Sequence, residues 1–276
     1  MEEYILVVIL TAIVVLFIYR YRLLRKQPGE PEQQRGNPIG SAMTIGSREI
    51  QADYLGSILG AAGTLLVLAD GIGSGLGSKL AARTAVDTAL ELYKDYRTFD
   101  KPEYYFRRVF NTANHRILSL MGERQGETAA AAALIQSNRL YYALAGNVRI
   151  AVYRRGDLIP VSEGQTLNVY ARHCYEEGRI SKDLAVSLLN QERIYNLLGQ
   201  EIFDEVESNR QPVDLAYGDI VVLMTDGVFH ALTWRQLEST LQIGGNPKEI
   251  AHRIIEDVRQ ATLSDGDNAS VLVYRN

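Results

Sequence analysis

Residues 64–77 read TLLVLADGIGSGLG, and this stretch decides the fold of the chain. Its first six residues are apolar or β-branched and predict a strand. The acidic residue that follows, Asp70, leads into a loop in which glycine recurs at every second position. The loop opens a segment, Gly77–Tyr96, whose apolar residues recur three and four positions apart, the spacing that is typical of an amphipathic helix.

Segments of the same two kinds follow along the chain. Further strands are predicted at Ser57–Leu59, Ala129–Gln136, Arg139–Ala145, Arg149–Arg154, Ile220–Met224 and Ser270–Tyr274, and further helices at Pro102–Met121, Lys182–Leu189 and Pro247–Gln260. Short polar turns at Ser137-Asn138 and Gly146-Asn147 predict two hairpins. Hairpins interleaved with long helices indicate an α+β layered fold rather than strict alternation of strand and helix.

The composition excludes several classes of protein. The chain has 276 residues, is 46% hydrophobic, and carries 29 basic against 33 acidic side chains, for a formal charge of −4. It is too apolar to be disordered, and it lacks the basic surplus that nucleic-acid binding requires. Its single cysteine, Cys174, excludes a disulfide scaffold and a multi-cysteine zinc site.

The N-terminal segment differs from the rest of the chain. Residues 4–19, YILVVILTAIVVLFIY, form an apolar run that flanking residues extend toward the length of a bilayer-spanning helix. A cleaved signal peptide would begin with basic residues, whereas Glu2 and Glu3 precede this run. A buried core helix is the other alternative. We expect a transmembrane anchor over residues 1–24 that contacts the lipid bilayer through residues 4–24.

Basic residues directly after the apolar run predict its orientation. Arg20, Arg22, Arg25 and Lys26 follow it, and cytoplasmic flanks of membrane helices are enriched in such residues. The N-terminus is therefore expected outside the cell and the remainder in the cytoplasm. Residues 25–42, rich in proline, glycine and glutamine, read as a flexible linker, and residues 43–276 as one globular domain.

Four carboxylates stand close to predicted strands. They are Asp53, Asp70, Asp226 and Asp267, and two of them occur in the same context, an apolar run followed by Asp-Gly. If the four converge, they form a hard-oxygen site suited to Mg²⁺ or Mn²⁺. The alternative is that each aspartate only begins a turn, which is a common role for this residue.

The motifs, taken in order, resemble those of the metal-dependent protein serine/threonine phosphatases of type 2C, the PPM family, in its bacterial form. The segments that carry the resemblance are REIQAD at 48–53, ADGIGSG at 69–75, GETA at 126–129, LYYALAGNVR at 140–149, GDIVVLMTDG at 218–227 and DNASV at 267–271. Together they extend over almost all of the chain from about residue 44 to residue 274.

The resemblance implies an αββα four-layer sandwich, in which helices flank two antiparallel sheets, and a site for two Mn²⁺ or Mg²⁺ ions. The implied metal ligands are Asp53, Asp70, Gly71, Asp226 and Asp267. Asp70 would bridge the two ions, and Arg48 would hold the substrate phosphate. The implied reaction is hydrolysis of phosphoserine or phosphothreonine on proteins, by attack of a water that bridges the metals. The implied substrates are proteins phosphorylated by a membrane Ser/Thr kinase.

Two positions depart from the family pattern. Asn147 and His230 stand where the family has acidic residues of an accessory metal site, so we expect this accessory site to bind a metal ion weakly or not at all. The departures also favour an alternative function, that of a catalytically weak or inactive phosphatase-fold domain acting as a regulatory or binding module.

Overall fold

Two antiparallel β-sheets stacked face to face form the centre of the fold. The computed structural model describes residues 37–73, 75–96, 101–122, 126–262 and 265–276. One sheet has the strand order Ile39–Thr44 (β1), Ala269–Arg275 (β11), Ile220–Met224 (β10), Arg149–Arg154 (β6) and Asp157–Pro160 (β7). The other has the order Tyr54–Gly60 (β2), Gly63–Ile72 (β3), Glu127–Gln136 (β4), Arg139–Ala145 (β5) and Glu207–Ser208 (β8), and Val213–Asp214 (β9) also pairs with β5.

Helices cover the outer faces of both sheets. Leu76–Tyr93 (α1) and Pro102–Met121 (α2) pack on the β2–β5 sheet, while Asp226–Ala231 (α5), Trp234–Gln242 (α6) and Pro247–Ala261 (α7) pack on the other. Two shorter helices, Leu167–Glu176 (α3) and Lys182–Leu188 (α4), lie between β7 and β8 in the chain. The predicted α+β fold with two antiparallel sheets and flanking helices is confirmed.

The sequence of strand β3 is apolar at consecutive positions because both faces of the strand are buried. Leu65 and Val67 pack against the helices α1 and α2, whereas Leu66 and Leu68 pack in the core between the two sheets. Because both faces of the sheet are covered, alternate side chains enter two different cores and no face requires polar residues. All four of these side chains are at most 2% exposed.

The two predicted hairpins have different outcomes. Ser137 and Asn138 have positive φ angles of 52° and 60° and join the paired strands β4 and β5, so this hairpin is confirmed. The predicted hairpin at Gly146-Asn147 is wrong, because β5 and β6 belong to different sheets. Gly146 adopts a φ of 90°, and a Cβ there would lie 2.4 Å from the Cβ of Ala129. Glycine therefore allows the chain to turn away from β4 and enter the second sheet.

Both Asp-Gly pairs lie in regular structure rather than in turns after strands. Asp70 and Gly71 are inside β3, where they pair with Ala129 and Thr128 of β4. Asp226 is the first residue of α5 rather than the start of a turn. The strand predicted to end at Ala69 is longer because its partner β4 continues alongside it.

Strand β1 includes residues 39–42, which were predicted to belong to the flexible linker. This strand pairs with β11 along its whole length, and the compact unit begins at Pro38. The small residues of this segment give no strand pattern, and β11 supplies its hydrogen-bond partners. The predicted anchor over residues 1–24 lies outside the described residues. In the part of the chain that the structure describes, no helix has the length and apolar character needed to span a membrane.

We predict that Gly40→Ala destabilises the domain. A Cβ at residue 40 would lie 2.1 Å from the carbonyl carbon of Pro247, so β1 and the start of α7 would have to separate. We expect a loss of about 1–3 kcal/mol in the free energy of unfolding, measured by urea denaturation. Met43→Ala, on the same strand and 37% exposed, is the control and is expected to change stability by less than about 0.5 kcal/mol. Equal stability of both variants would contradict the docking of β1.

Candidate active site

A cleft of about 930 Å³ contains most of the predicted site residues. Those that line it are Arg48, Asp70, Gly71, Asn147, Asp226, His230 and Asp267. Asp53 is not part of the lining and is only 2% exposed. Arg48, Asn147, Asp226 and Asp267 converge because the end of β1, the start of β11, the end of β10 and the start of β6 are neighbours in an antiparallel sheet. Asp70 and Gly71 reach the cleft from β3 of the other sheet.

Asp70 and Gly71 are held at the cleft by contacts of their backbone. The hydroxyl of Thr128 donates a hydrogen bond of 2.7 Å to the carbonyl oxygen of Asp70. A Cβ at Gly71 would lie 2.5 Å from the carbonyl oxygen of Ser78 and 2.9 Å from that of Ala52. Position 71 therefore excludes any side chain, because β3, the first turn of α1 and residue 52 meet there.

A short chain of hydrogen bonds holds Asp53. The backbone N–H of Ser270 donates to the hydroxyl oxygen of Thr225 at 3.0 Å, and that hydroxyl donates to Asp53 Oδ2 at 3.2 Å. The other carboxylate oxygen of Asp53, Oδ1, is buried without a hydrogen-bond partner. One oxygen of Asp53 is thus fixed by the end of β10, and the other has no donor.

Asp70 and Asp53 are in an environment that disfavours their charged forms. Burial raises the pKa of both carboxyl groups, and the negative charge of Asp226 raises both further. Asp70 is 8% exposed, and its Oδ2 is also buried without a hydrogen-bond partner. Buried carboxylates of this kind are costly unless a cation or hydrogen-bond donors compensate them.

The free oxygens of Asp53 and Asp70 fit a hard divalent cation, which prefers carboxylate ligands. Among the described residues, however, no three His, Cys, Asp or Glu side chains are arranged so that together they could hold a metal ion. The two other predicted carboxylate ligands, Asp226 and Asp267, have partners of their own in the structure, which are Asn147 and Arg48.

Asp267 forms a two-pronged ion pair with Arg48. Arg48 Nε lies 2.8 Å from Asp267 Oδ1, and Arg48 Nη2 lies 2.7 Å from Asp267 Oδ2. Partial burial would raise the pKa of Asp267, but the hydrogen bonds from Arg48 and from the N–H of Asn268 outweigh it and lower that pKa. The structure thus joins the residue predicted to hold phosphate to a residue predicted to hold metal.

The loop that carries Arg48 is attached to the segment before β11. Asn268 Oδ1 accepts a hydrogen bond of 2.7 Å from the N–H of Ala52, and Asn268 Nδ2 donates one of 2.8 Å to the carbonyl oxygen of Ile45. The N–H of Ser47 donates to the carbonyl oxygen of Gly266 at 2.8 Å. These contacts hold Arg48 beside Asp267.

The two residues of the predicted accessory site contact different partners. Asn147 Nδ2 donates a hydrogen bond of 3.0 Å to Asp226 Oδ2, so it acts on a predicted metal ligand. His230 Nε2 lies 3.3 Å from Glu192 Oε2, in the segment between α4 and β8. His230 therefore links α5 to that segment at the rim of the cleft.

Sequence reasoning assigned no role to several residues of the cleft. Asn268 ties the Arg48 loop in place, Glu192 contacts His230, and the guanidinium carbon of Arg149 lies 3.9 Å from the ring centre of Phe229. Asn268 had a signal, because an Asp-Asn pair precedes a strand. Glu192 and Phe229 had none, because each acts through a partner that is distant in sequence.

Comparison with known proteins identifies the family. The family described as Protein phosphatase 2C matches residues 42–244. The match spans more than half of the chain, so the chain belongs to the protein phosphatase 2C family. The predicted class of enzyme, a protein serine/threonine phosphatase, is confirmed at this level. No curated protein sequence is similar enough to count as a match.

Several solved structures share the fold. The S. agalactiae serine/threonine phosphatase is 22% identical with a TM-score of 0.71, and the alignment covers 86% of this chain and 99% of that chain. The Mycobacterium tuberculosis serine/threonine phosphatase PstP/Ppp is 24% identical with a TM-score of 0.67, covering 86% and 97%. Stp1 from Staphylococcus aureus is 15% identical with a TM-score of 0.72, covering 86% and 94%.

We predict that Asp70→Asn stabilises the metal-free protein. The folded state disfavours the charged carboxylate, as its raised pKa shows, so at pH 8 a neutral amide of the same shape avoids that cost. We expect a gain of about 1–2 kcal/mol in unfolding free energy, measured in denaturant with a chelator present.

The control is Asp87→Asn, which removes an exposed carboxylate that pairs with Arg83 one turn away on α1. It is expected to change stability by less than about 0.5 kcal/mol, because exposed ion pairs contribute little. A clear loss of stability in Asp70→Asn would contradict the view that the buried charge is uncompensated.

Proposed function

We propose that this chain hydrolyses phosphoserine or phosphothreonine on proteins and that the reaction depends on two Mn²⁺ or Mg²⁺ ions. The single observation that carries the metal dependence is the pair of buried carboxylate oxygens, Asp53 Oδ1 and Asp70 Oδ2, that have no hydrogen-bond partner. Support also comes from a similar solved structure, the catalytic domain of the phosphatase PstP, which is described in complex with two manganese ions.

The proposed ligands are Asp53, Asp70, the Gly71 carbonyl, Asp226 and Asp267. When bound there, divalent cations would supply a water that is acidic enough to act as nucleophile near neutral pH, and would neutralise charge on the phosphoryl oxygens. Thr225 and Asn147 orient two of the ligands, because they donate hydrogen bonds to Asp53 and Asp226.

Arg48 is proposed to bind the substrate phosphate. Its guanidinium presents donors in a planar fork that matches two phosphate oxygens, the geometry that it already uses on the carboxylate of Asp267. The side chain of Arg48 is 57% exposed, so a substrate can reach it. The hydrogen bonds to Asp267 use Nε and Nη2, so the donors on Nη1 can bind phosphate while the ion pair persists, and release of the pair would free Asp267 for a cation.

A second candidate function is a regulatory or binding module with weak or absent catalysis. The observation that favours it is the same ion pair, since it engages the proposed phosphate-binding residue with a proposed metal ligand. The hydrogen bond from Asn147 to Asp226 also engages a proposed metal ligand with a neutral donor. The two functions differ in turnover, which can be measured directly.

We predict metal-dependent release of phosphate from a phosphothreonine peptide. The purified full-length chain in detergent should be inactive with a chelator and active with added Mn²⁺, and Asp226→Asn should reduce kcat at least a hundredfold. Asp157→Asn, which alters an exposed carboxylate on β7, should retain the activity of the unaltered chain. A folded protein that binds the peptide but releases no phosphate at any metal concentration would favour the binding module.

We further propose that residues 1–24 anchor the chain in the cell membrane and that the phosphatase domain lies in the cytoplasm. The support is the uncharged apolar run at residues 4–19 and the basic residues that follow it. The substrates would then be proteins phosphorylated at the membrane by a Ser/Thr kinase.

We predict that the full chain stays with the membrane fraction after an alkaline wash and that a chain beginning at Asn37 does not. Protease added outside intact cells should leave the phosphatase domain uncut, and the same protease should digest it after lysis. Recovery of both chains in the same fraction would refute the anchor. Digestion in intact cells would instead refute the orientation.

A further inference from the structure

Arg149 occupies the wall of the cleft that β6 and β10 form. It is the first residue of β6 and pairs in register with Met224, two residues before Asp226. It lines the same cleft as Arg48 and Asp226. Its position on a strand of the central sheet makes it a rigid part of that wall, unlike residues carried by loops.

An aromatic ring holds the side chain of Arg149. The guanidinium carbon lies 3.9 Å from the centre of the Phe229 ring on α5. At this distance the cation and the face of the ring attract each other, and the stacking restricts the plane of the guanidinium. A guanidinium held in this way has donors in a fixed orientation, so less freedom is lost when an oxyanion binds.

The donors of Arg149 are unused within the described part of the chain. Its guanidinium forms neither a hydrogen bond nor an ion pair with any described residue, and none of its nitrogen atoms is buried without a partner, so they remain accessible. Four acidic side chains of the cleft have other partners. Glu192 lies beside His230, Glu163 pairs with Arg172, Asp267 pairs with Arg48, and Asp226 accepts a hydrogen bond from Asn147.

The unused donors of Arg149, rather than the local charge, favour an oxyanion. Partial burial lowers the pKa of its guanidinium, and the negative charges of Glu192 and Asp226, which act in the opposite direction, also repel an anion. Five N–H donors on a half-buried cation are incompletely satisfied by a ring face alone. A carboxylate or a phosphate would complete them with two parallel hydrogen bonds.

Arg48 and Arg149 approach the cleft from different strands of one sheet. Arg48 is held by Asp267, just before β11, and Arg149 begins β6, two strands away across β10. Two inter-strand spacings amount to roughly 10 Å. An extended peptide covers that distance in about three residues, so both arginines can contact one substrate segment.

We propose that Arg149 determines substrate specificity by binding a second oxyanion of the phosphoprotein, an acidic side chain or a second phosphate within about three residues of the phosphoresidue. This inference rests on the proposed phosphatase function. Arg48 would hold the phosphate that is removed, and Arg149, stacked on Phe229, would hold the neighbouring anion and so select which phosphorylated sequences enter the cleft.

The test compares phosphothreonine peptides that differ only beside the phosphoresidue. One peptide has neutral neighbours, a set carries one glutamate at each position within about three residues, and another set carries a second phosphothreonine there. For the full-length chain with Mn²⁺, we expect kcat/KM to be about tenfold higher for the best glutamate or doubly phosphorylated peptide than for the neutral one. The glutamate and phosphate sets show which source of the oxyanion is preferred.

Substitutions at Arg149 should remove this preference. In Arg149→Gln the ratio of kcat/KM between anionic and neutral peptides should fall to about one, and Arg149→Lys should retain part of it because charge remains without the fork. Arg235→Gln removes an exposed positive charge outside the cleft and should leave the ratio unchanged. A preference that persists in Arg149→Gln, or a loss of kcat/KM that is equal for all peptides, would overturn the proposal.

The same peptides separate this proposal from the proposed catalytic function. If the unaltered chain hydrolyses no peptide, the catalytic function fails, and fluorescence anisotropy then measures peptide affinity in place of kcat/KM. A tenfold preference in affinity that disappears in Arg149→Gln would still support the role of Arg149. Hydrolysis of every peptide at the same rate by the unaltered chain would refute that role and leave the catalytic function intact.

Discussion

Two buried carboxylates, Asp53 and Asp70, lie close to the charge of Asp226 and are the main constraint on the rest of the structure. Their burial lowers the stability of the folded state. The three carboxylates cannot compensate one another, because like charges repel and the low-dielectric interior strengthens that repulsion. The fold supplies the stability that tolerates this cost. Strand β3 places Asp70 at the end of a run that packs into two cores, and Thr225 gives Asp53 one hydrogen bond. The proposed cation site rests on this uncompensated burial.

Around these carboxylates, two other acidic side chains lie beside basic residues. Asp267 is compensated by Arg48, and Glu192 lies beside His230. The Arg48–Asp267 pair joins the residue that is proposed to bind phosphate to a residue that is proposed to bind metal. Arg149 differs from these residues because its guanidinium stacks on the ring of Phe229 and forms no ion pair with any residue that the structure describes.

Much of the fold could be predicted where the sequence carries a repeated local pattern. The strands Arg139–Ala145, Arg149–Arg154 and Ile220–Met224 have the predicted bounds, because each is a short apolar run between polar turns. Strand β1 was not predicted, since Ile39–Thr44 is short and rich in small residues. The turn at Gly146-Asn147 reads like a hairpin turn, yet the strands it joins lie in different sheets, because a turn sequence fixes the local bend and not the strand that pairs afterwards.

The sequence by itself determined the order of the motifs, the alternation of strands and helices, and the four aspartates that stand beside strands. These are local properties, since each depends on residues that are adjacent or one turn apart. The tertiary structure decided which side chains meet: Arg48 with Asp267, 219 positions apart, Asn147 with Asp226, 79 positions apart, and Arg149 with Phe229. Such contacts depend on how two sheets stack and on which strand ends become neighbours. No local sequence pattern predicts these contacts, because a motif reads the same whichever distant residue its side chains contact after folding.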